Sequence, residues 1–338
     1  MNSALLLIAV ALSALESPVE KTNAALLAYE KSDGACAAVV LNCRTGEIVY
    51  MYNHKLCIMH KFPIGSLAKP MAAAVLLNES EDVFKGEADS QIVCDGRYYG
   101  AFTEGDLAKF NIRRDKKGGK YFRCSIDRGH GLIDMERAVS DSCNVWFLSA
   151  ASKSPAKLYK KMIQAFYLTR STGARLNRWY EPERKIPYYY MSDFEYAACS
   201  IGEGRYMELT PLKIAQVYAG LFEGGAAPIP FEPPLYPQPQ KVYLGVSPAV
   251  IGKVYSMMER AVKTGTLSGL KLPAGIKLLA GKTGSATRTS EIYRTHGWNV
   301  LCVQQGSDKF SVVSFTYFGS GRKQAANVSG ILLTNLFE

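Results

Sequence analysis

Strand-like patterns stand near the two ends of this chain and helical patterns fill most of the distance between, an order that narrows the choice of fold. Residues 37–41 and 47–52 are apolar strand patterns joined by Asn42-Cys-Arg-Thr-Gly46, which has the residues of a hairpin turn. Toward the other end, residues 276–280, 297–304 and 309–318 read as strands, the last two separated by Gly306-Ser307-Asp308. A short helix with Thr22 as its cap is expected over 22–29, before the first strand, and another over 325–336, after the last. Helix first and helix last, with several strands between, predicts an antiparallel sheet flanked by both terminal helices.

Between these ends, helices are expected over 66–78, 132–139, 145–151, 157–167, 212–222 and 247–262. Thr210-Pro211 and Ser247-Pro248 supply a cap and a first turn for the last two, and Gly224-Gly225 ends the former. Residues 91–131 mix glycine, charge and tyrosine without a clear period. Their basic tip, Arg113-Arg-Asp-Lys-Lys-Gly-Gly-Lys120, reads as a solvated loop. Six prolines make 228–239 an irregular connector.

With 338 residues, 48% of them hydrophobic and 21% charged, the chain can bury the core of one large globular domain or two ordinary ones. The net charge of +10 is spread along the chain, which suits an acidic surface and not a nucleic-acid groove; no nucleic-acid partner is expected. The apolar run from Met1 to Leu15 is too short to span a bilayer comfortably. It reads as a signal peptide over 1–17, with small residues for cleavage at Ala11-Leu12-Ser13, so the protein is expected to be exported, to a periplasm or cell surface; as no Lys or Arg precedes the run, an uncleaved anchor that keeps the protein at the membrane, or a buried N-terminal helix, is the alternative. Export makes the eight cysteines candidates for disulfides whose pairing the sequence does not fix. There is no Cys-x-x-Cys pair and there are only four histidines, and His130 beside Gly131 reads as structural. No metal or other cofactor is expected.

The chemistry concentrates in three short motifs. Ser66 and Lys69 stand three apart where Gly65-Ser66 breaks the chain before an alanine-rich apolar helix, so hydroxyl and amine can share a helix face. Ser-x-x-Lys also occurs at Ser154/Lys157, Ser268/Lys271 and Ser320/Lys323, but a proline or glycine follows each of those serines and none opens a long apolar helix. Ser142-Cys-Asn144 is the one Ser-x-Asn in the chain, with two polar side chains able to face one cleft; a helix-capping turn is the plain alternative. Lys-Thr-Gly occurs twice. Lys263-Thr-Gly265 closes the helix over 247–262 and reads as a stop signal, whereas Lys282-Thr-Gly284 follows a strand.

Ser66-Leu-Ala-Lys69, Ser142-Cys-Asn144 and Lys282-Thr-Gly284, in that order, resemble the motif set of penicillin-binding proteins and serine β-lactamases. Thr45-Gly-Glu47, His130-Gly-Leu-Ile-Asp134, Ser200-Ile-Gly-Glu-Gly204 with Thr210-Pro-Leu212, and Ala280-Gly-Lys-Thr-Gly-Ser-Ala286 are similar to segments of the class B transpeptidase domain, and Cys94 and Cys124 to elongation-type members. The resemblance spans about residues 22–338. It implies an α/β (α+β) fold over 18–338, a sheet sandwich plus an all-helical lobe within about 70–265, with the active site between them.

By position it also implies roles. Ser66 is the nucleophile acylated by a D-alanyl-D-alanine stem peptide of peptidoglycan or by a β-lactam, and Lys69 its base, with a pKa depressed by burial and by the cation Lys282. Ser142 relays the proton to the leaving nitrogen and Asn144 holds the substrate amide. Lys282 and Thr283 bind the terminal carboxylate, Gly284 keeps the strand edge clear for substrate, and the N–H groups of Ser66 and Ser285 form the oxyanion hole. The expected activity is a penicillin-binding serine D,D-transpeptidase. A D,D-carboxypeptidase, or a β-lactamase or β-lactam sensor drawing a water-activating base from Glu181, Glu183 or Glu203, is the alternative; a non-catalytic cell-wall scaffold is a further one. Two departures stand out: Ala68 replaces the bulky aromatic usual between serine and lysine, and the chain has no room for a pedestal or glycosyltransferase domain. A glycosyltransferase or other cell-wall synthesis partner is therefore expected to supply polymerisation and membrane attachment.

Overall fold

In a computed structural model of the chain, residues 17–337 are described apart from 80–83, 85, 183–190, 204–205, 236, 271 and 288–294. The leader, Glu183 and Gly204 lie outside the described residues.

The strand patterns at the two ends meet in one five-stranded antiparallel sheet. Its strands are β1 (Cys36–Asn42), β2 (Ile48–Tyr52), β3 (Ile276–Thr287), β4 (Thr295–Gln305) and β5 (Asp308–Thr316), in the order β3-β4-β5-β1-β2. The seam between the two ends is the β1–β5 ladder, with Val39 opposite Val313. Every residue of β1 is buried, because both faces of the sheet are covered. Cys36, Ala38 and Val40 join a core with Leu26, Val328 and Leu332 from the terminal helices, while Ala37, Val39 and Leu41 join the larger core on the other side.

The helices that position the site are α1 (Pro18–Asp33), α2 (Ala68–Asn78), α3 (Met135–Ser140), α4 (Asn144–Ala151), α5 (Pro155–Ala165), α6 (Pro211–Phe222), α7 (Pro248–Lys263) and α8 (Ala326–Leu336). α1 starts earlier than its apolar pattern suggests, because Ser17 and Glu20 form a reciprocal capping box. Thr22 is no cap: it is buried, and its hydroxyl donates to the Pro18 carbonyl at 2.6 Å. α2 and α6 are buried along nearly their whole length, the signature of helices apolar on every face. α2 packs among the helices of the lobe, α5 and α7 included, and α6 packs against the sheet through β1 and β5.

The lobe is largely helical but carries small sheets. Ile92–Cys94 pairs with Gly131–Ile133, and Arg97–Tyr98, Ile112–Arg114 and Lys120–Arg123 make a three-stranded sheet whose hairpin turn is part of the basic tip. The helix expected over 132–139 therefore begins only at Met135, where the Asp134 carboxylate accepts the Arg137 N–H at 2.8 Å. The proline-rich connector is pinned by Phe231, which bridges to both Glu47 and Arg175.

Candidate active site

Ser66 sits on a single 3-10 turn, Gly65–Leu67, that leads into α2. The turn is wedged from two sides. Gly65 and Gly202 both have positive φ, and a β-carbon on Gly65 would strike the Ser285 carbonyl while one on Gly202 would strike the Gly65 carbonyl. The Gly65 N–H donates to the Gly202 carbonyl at 2.9 Å, which is the work done by the Ser200-Ile-Gly segment. From below, the buried Tyr218 hydroxyl of α6 donates to the Leu67 carbonyl at 2.9 Å.

One helical step on, Lys69 is fully buried and its Nζ lies 2.9 Å from Ser66 Oγ. The same nitrogen reaches the Ser142 carbonyl at 2.7 Å, Ser142 Oγ at 3.1 Å and Asn144 Oδ1 at 2.7 Å. Burial pushes the Lys69 amine down to about 8, against the charges of nearby thiols, which raise it. Lys282 is also fully buried and sits 3.0 Å from Ser142 Oγ. Burial first, then repulsion from Lys69, holds Lys282 well below the ordinary lysine range. Burial is the largest cause for both amines, and two cations this close disfavour each other's charge. A neutral amine in this shell can donate to the Ser142 carbonyl and Asn144 Oδ1 and accept from the Ser66 hydroxyl.

Ser142 has a φ of 65°, rare for a residue other than glycine. It is held there by Lys69 and by Ser125, whose hydroxyl donates to the Ser142 carbonyl at 3.0 Å. Asn144 opens α4, and its Nδ2 donates to the Arg123 carbonyl at 3.1 Å. The capping alternative is therefore met by the middle residue: Cys143 Sγ accepts the Trp146 N–H, leaving Ser142 and Asn144 to turn toward Lys69.

Lys282, Thr283, Gly284 and Ser285 lie along β3, opposite Val300, Asn299, Trp298 and Gly297 of β4. A side chain at Gly284 would collide first with the Ile64 carbonyl and Leu67, so this glycine lets the nucleophile's turn approach the strand. Gly321 closes over the same point and donates its N–H to Ser285 Oγ at 3.2 Å. The other Lys-Thr-Gly, Lys263-Thr-Gly265, lies close by: α7 ends at Lys263, and the Thr283 hydroxyl meets that of Thr266, the residue after this motif, at 3.1 Å. Gly265 has no positive φ; it is there because a β-carbon would press on the Ser140 carbonyl.

Ser66, Ser142, Asn144, Thr283, Gly284 and Ser285 line one cleft of about 330 Å³. Glu203 lines it too, whereas Glu181 does not and is half-buried, its carboxylate taken by Thr172 and raised in pKa by desolvation.

All eight cysteines are free thiols, and three of them form a group that spacing along the chain did not reveal. The donor atoms of Cys94, Cys124, His130 and Cys143 all lie within 4.8 Å of one another, directly behind Ser142 and Asn144. Cys94 Sγ and Cys124 Sγ are each 3.5 Å from His130 Nδ1, and Cys124 Sγ is 3.7 Å from Cys143 Sγ. A tetrahedron with metal–sulfur bonds of about 2.3 Å and a metal–nitrogen bond of about 2.0 Å has edges close to these distances, and a Cys₃His donor set suits a zinc-type ion. His130 thus stands among three thiols, where the sequence suggests a merely structural residue. The available signal was Gly129-His-Gly131 followed by a cysteine inside the Ser-x-Asn motif, with no short Cys-x-x-Cys to announce it.

Residues 36–329 match the family model described as the penicillin-binding protein transpeptidase domain. No curated protein matches the chain by sequence. Among solved structures, the transpeptidase domain of Burkholderia pseudomallei penicillin-binding protein 3 is similar at a TM-score of 0.69 and 16% identity, covering 95% of this chain and 93% of that one. Penicillin-binding protein A of M. tuberculosis, solved as a ceftriaxone acyl-enzyme complex, gives 0.70 at 19% identity over 94% and 78%. Penicillin-binding protein 2 of Helicobacter pylori, solved in complex with MreC, gives 0.73 at 14% identity over 94% and 62%. At these identities the likeness is one of fold.

Proposed function

The chain belongs to the penicillin-binding protein transpeptidase domain family, and from that premise we propose that it is an exported serine D,D-transpeptidase acting on D-alanyl-D-alanine stem peptides through an acyl-enzyme. The observation that carries the reading is the buried Lys69 amine, 2.9 Å from Ser66 Oγ and shared with Ser142 and Asn144.

Neutral Lys69 takes the hydroxyl proton as Ser66 Oγ attacks the carbonyl carbon of the penultimate D-alanine. The resulting oxyanion lies between the N–H groups of Ser66 and Ser285, each such donor lowering the barrier by about 3 kcal/mol. Ser142 Oγ, in contact with both amines, passes a proton to the departing D-alanine nitrogen as the C–N bond breaks. Asn144 holds the substrate amide. Thr283 and Lys282 receive the terminal carboxylate, and that negative charge draws the depressed Lys282 amine back toward its protonated form. An acceptor amine then opens the Ser66 ester to form the cross-link. Peptidoglycan stem peptides are the substrates, β-lactams acylate the same serine, and a glycan-polymerising partner works alongside.

Incubation with a stem peptide ending in D-alanyl-D-alanine and an amine acceptor tests this. Released D-alanine and a cross-linked product, both absent with Ser66→Ala, are expected. D-alanine release by Ser66→Ala at the parent rate sinks the reading, and release without cross-linking turns it toward the carboxypeptidase.

A further inference from the structure

The Cys94, Cys124, His130 and Cys143 group is built as a ligand set and not merely as a cluster of buried thiols. His130 Nε2 lies 3.3 Å from the Asp141 carbonyl, to which it donates, so Nδ1, which faces the sulfurs, is the ring nitrogen placed to bind an ion. Two of the sulfurs accept backbone N–H groups, Cys124 from Asn144 at 3.3 Å and Cys143 from Trp146 at 3.4 Å, which favours thiolates. The group is also tied into the catalytic wall: Asp141 precedes Ser142, Cys143 follows it, and the Asn144 N–H is held by Cys124. Finally, Cys124 lines the catalytic cleft, so a small oxidant entering the cleft meets it, and its sulfur is 3.7 Å from that of Cys143.

We propose that this thiolate set makes the catalytic wall sensitive to oxidants: gathered on one zinc-type ion the four side chains hold Ser142 and Asn144 in place, and disulfide formation between Cys124 and Cys143 releases the ion and disarms the wall. The oxidant is a hydroperoxide. Cys124 thiolate attacks the peroxide oxygen, the O–O bond breaks, and sulfenate and water form. Two protons from solvent then take the sulfenate oxygen off as a second water while Cys143 thiolate attacks the Cys124 sulfur, so the two sulfurs lose two electrons and the peroxide gains them. Drawing the sulfurs from 3.7 Å to the length of a disulfide, about 2.05 Å, removes two ligands at once and pulls Cys143 from the Trp146 N–H that starts α4. Release of the ion removes the tie that fixes the wall. The effect on acylation rests on the acyl-transfer reading above; the metal and disulfide steps do not.

The test takes the purified, reduced full chain, loaded with zinc, and titrates it with hydrogen peroxide. Metal analysis is expected to give one zinc per chain, and cobalt loading a sulfur-to-cobalt charge-transfer band. Peroxide is expected to release the zinc, form the Cys124–Cys143 bridge in a peptide map, increase deuterium uptake over residues 141–146, and cut fluorescent-penicillin acylation by more than about tenfold. Thiol reductant plus zinc should reverse all four changes. Cys94→Ser keeps the sulfur pair, so it should bind zinc more weakly and form the bridge at lower peroxide. The proposal is overturned if the reduced chain takes up neither zinc nor cobalt, or if zinc leaves and the bridge forms without a change in deuterium uptake. If the zinc-loaded chain never reacts with penicillin while the other readouts respond, the acyl-transfer reading fails and the oxidant-sensitive centre stands.

Discussion

Lys69 must be an amine at a pH where lysines are ammonium, and the chain achieves this by burying it completely under its own nucleophile. The penicillin acylation rate is therefore expected to rise with pH to a plateau, with a midpoint near 8, and a flat profile through that midpoint would count against Lys69 as the base. The same burial weighs on folding. The unfolded chain holds the lysine proton more tightly, so the cost is fully present below pH 8 and is relieved as pH rises toward the ordinary lysine value of 10.5. Lys69→Arg keeps a charge that cannot be shed, and a loss of acylation of about 10²–10⁴-fold is expected. At this scale the sequence is informative about Ser66, Lys69, Ser142, Asn144 and Lys282, because each sits in a short motif with a local cue. It marks Cys94, Cys124, His130 and Cys143 only as members of separate segments, because their convergence depends on how distant segments fold together.

Among the elements, α6 links the core to the chemistry. Tyr218 is fully buried in it and its hydroxyl meets the Leu67 carbonyl, one residue past the nucleophile. Tyr218→Phe leaves that carbonyl without its partner, so unfolding by denaturant should show a loss of about 1–3 kcal/mol. Acylation should slow with it; unchanged stability and rate would mean that the turn does not lean on α6. Elements with strong boundary signals were legible, as with Thr210-Pro211 and Ser247-Pro248. Where capping was reciprocal or a glycine reset the chain, the apolar period misled: α1 begins at Pro18 because of Ser17 and Glu20, and residues 131–133 pair as a strand before Asp134 starts α3. The roles of Gly284 and Gly265 were read from local logic, substrate clearance and helix termination. The packing adds a tertiary reason to each, close approach to the Ile64 and Ser140 carbonyls, and the helix does end just before Gly265.

The whole molecule is organised by a sheet closed from both chain ends and a lobe inserted between them. The β1–β5 ladder joins the ends, β3 supplies the Lys-Thr-Gly edge, and the lobe brings Ser142 and Asn144 from the opposite side. That arrangement was readable in outline, since helix and strand patterns at the termini leave an antiparallel sheet as the natural way to bury both. The small sheets around residues 92–133 were not, because strands of two to four residues carry too little period to stand out. Among the described residues no helix is long and apolar enough to cross a membrane. The central claim is that the two halves meet to activate one hydroxyl. Peptide mapping after incubation with a penicillin measures this most directly. A single acyl adduct is predicted on Ser66, abolished by Ser66→Ala and retained long after excess drug is removed; an adduct on another residue, rapid turnover of the drug, or labelling that survives Ser66→Ala would contradict it.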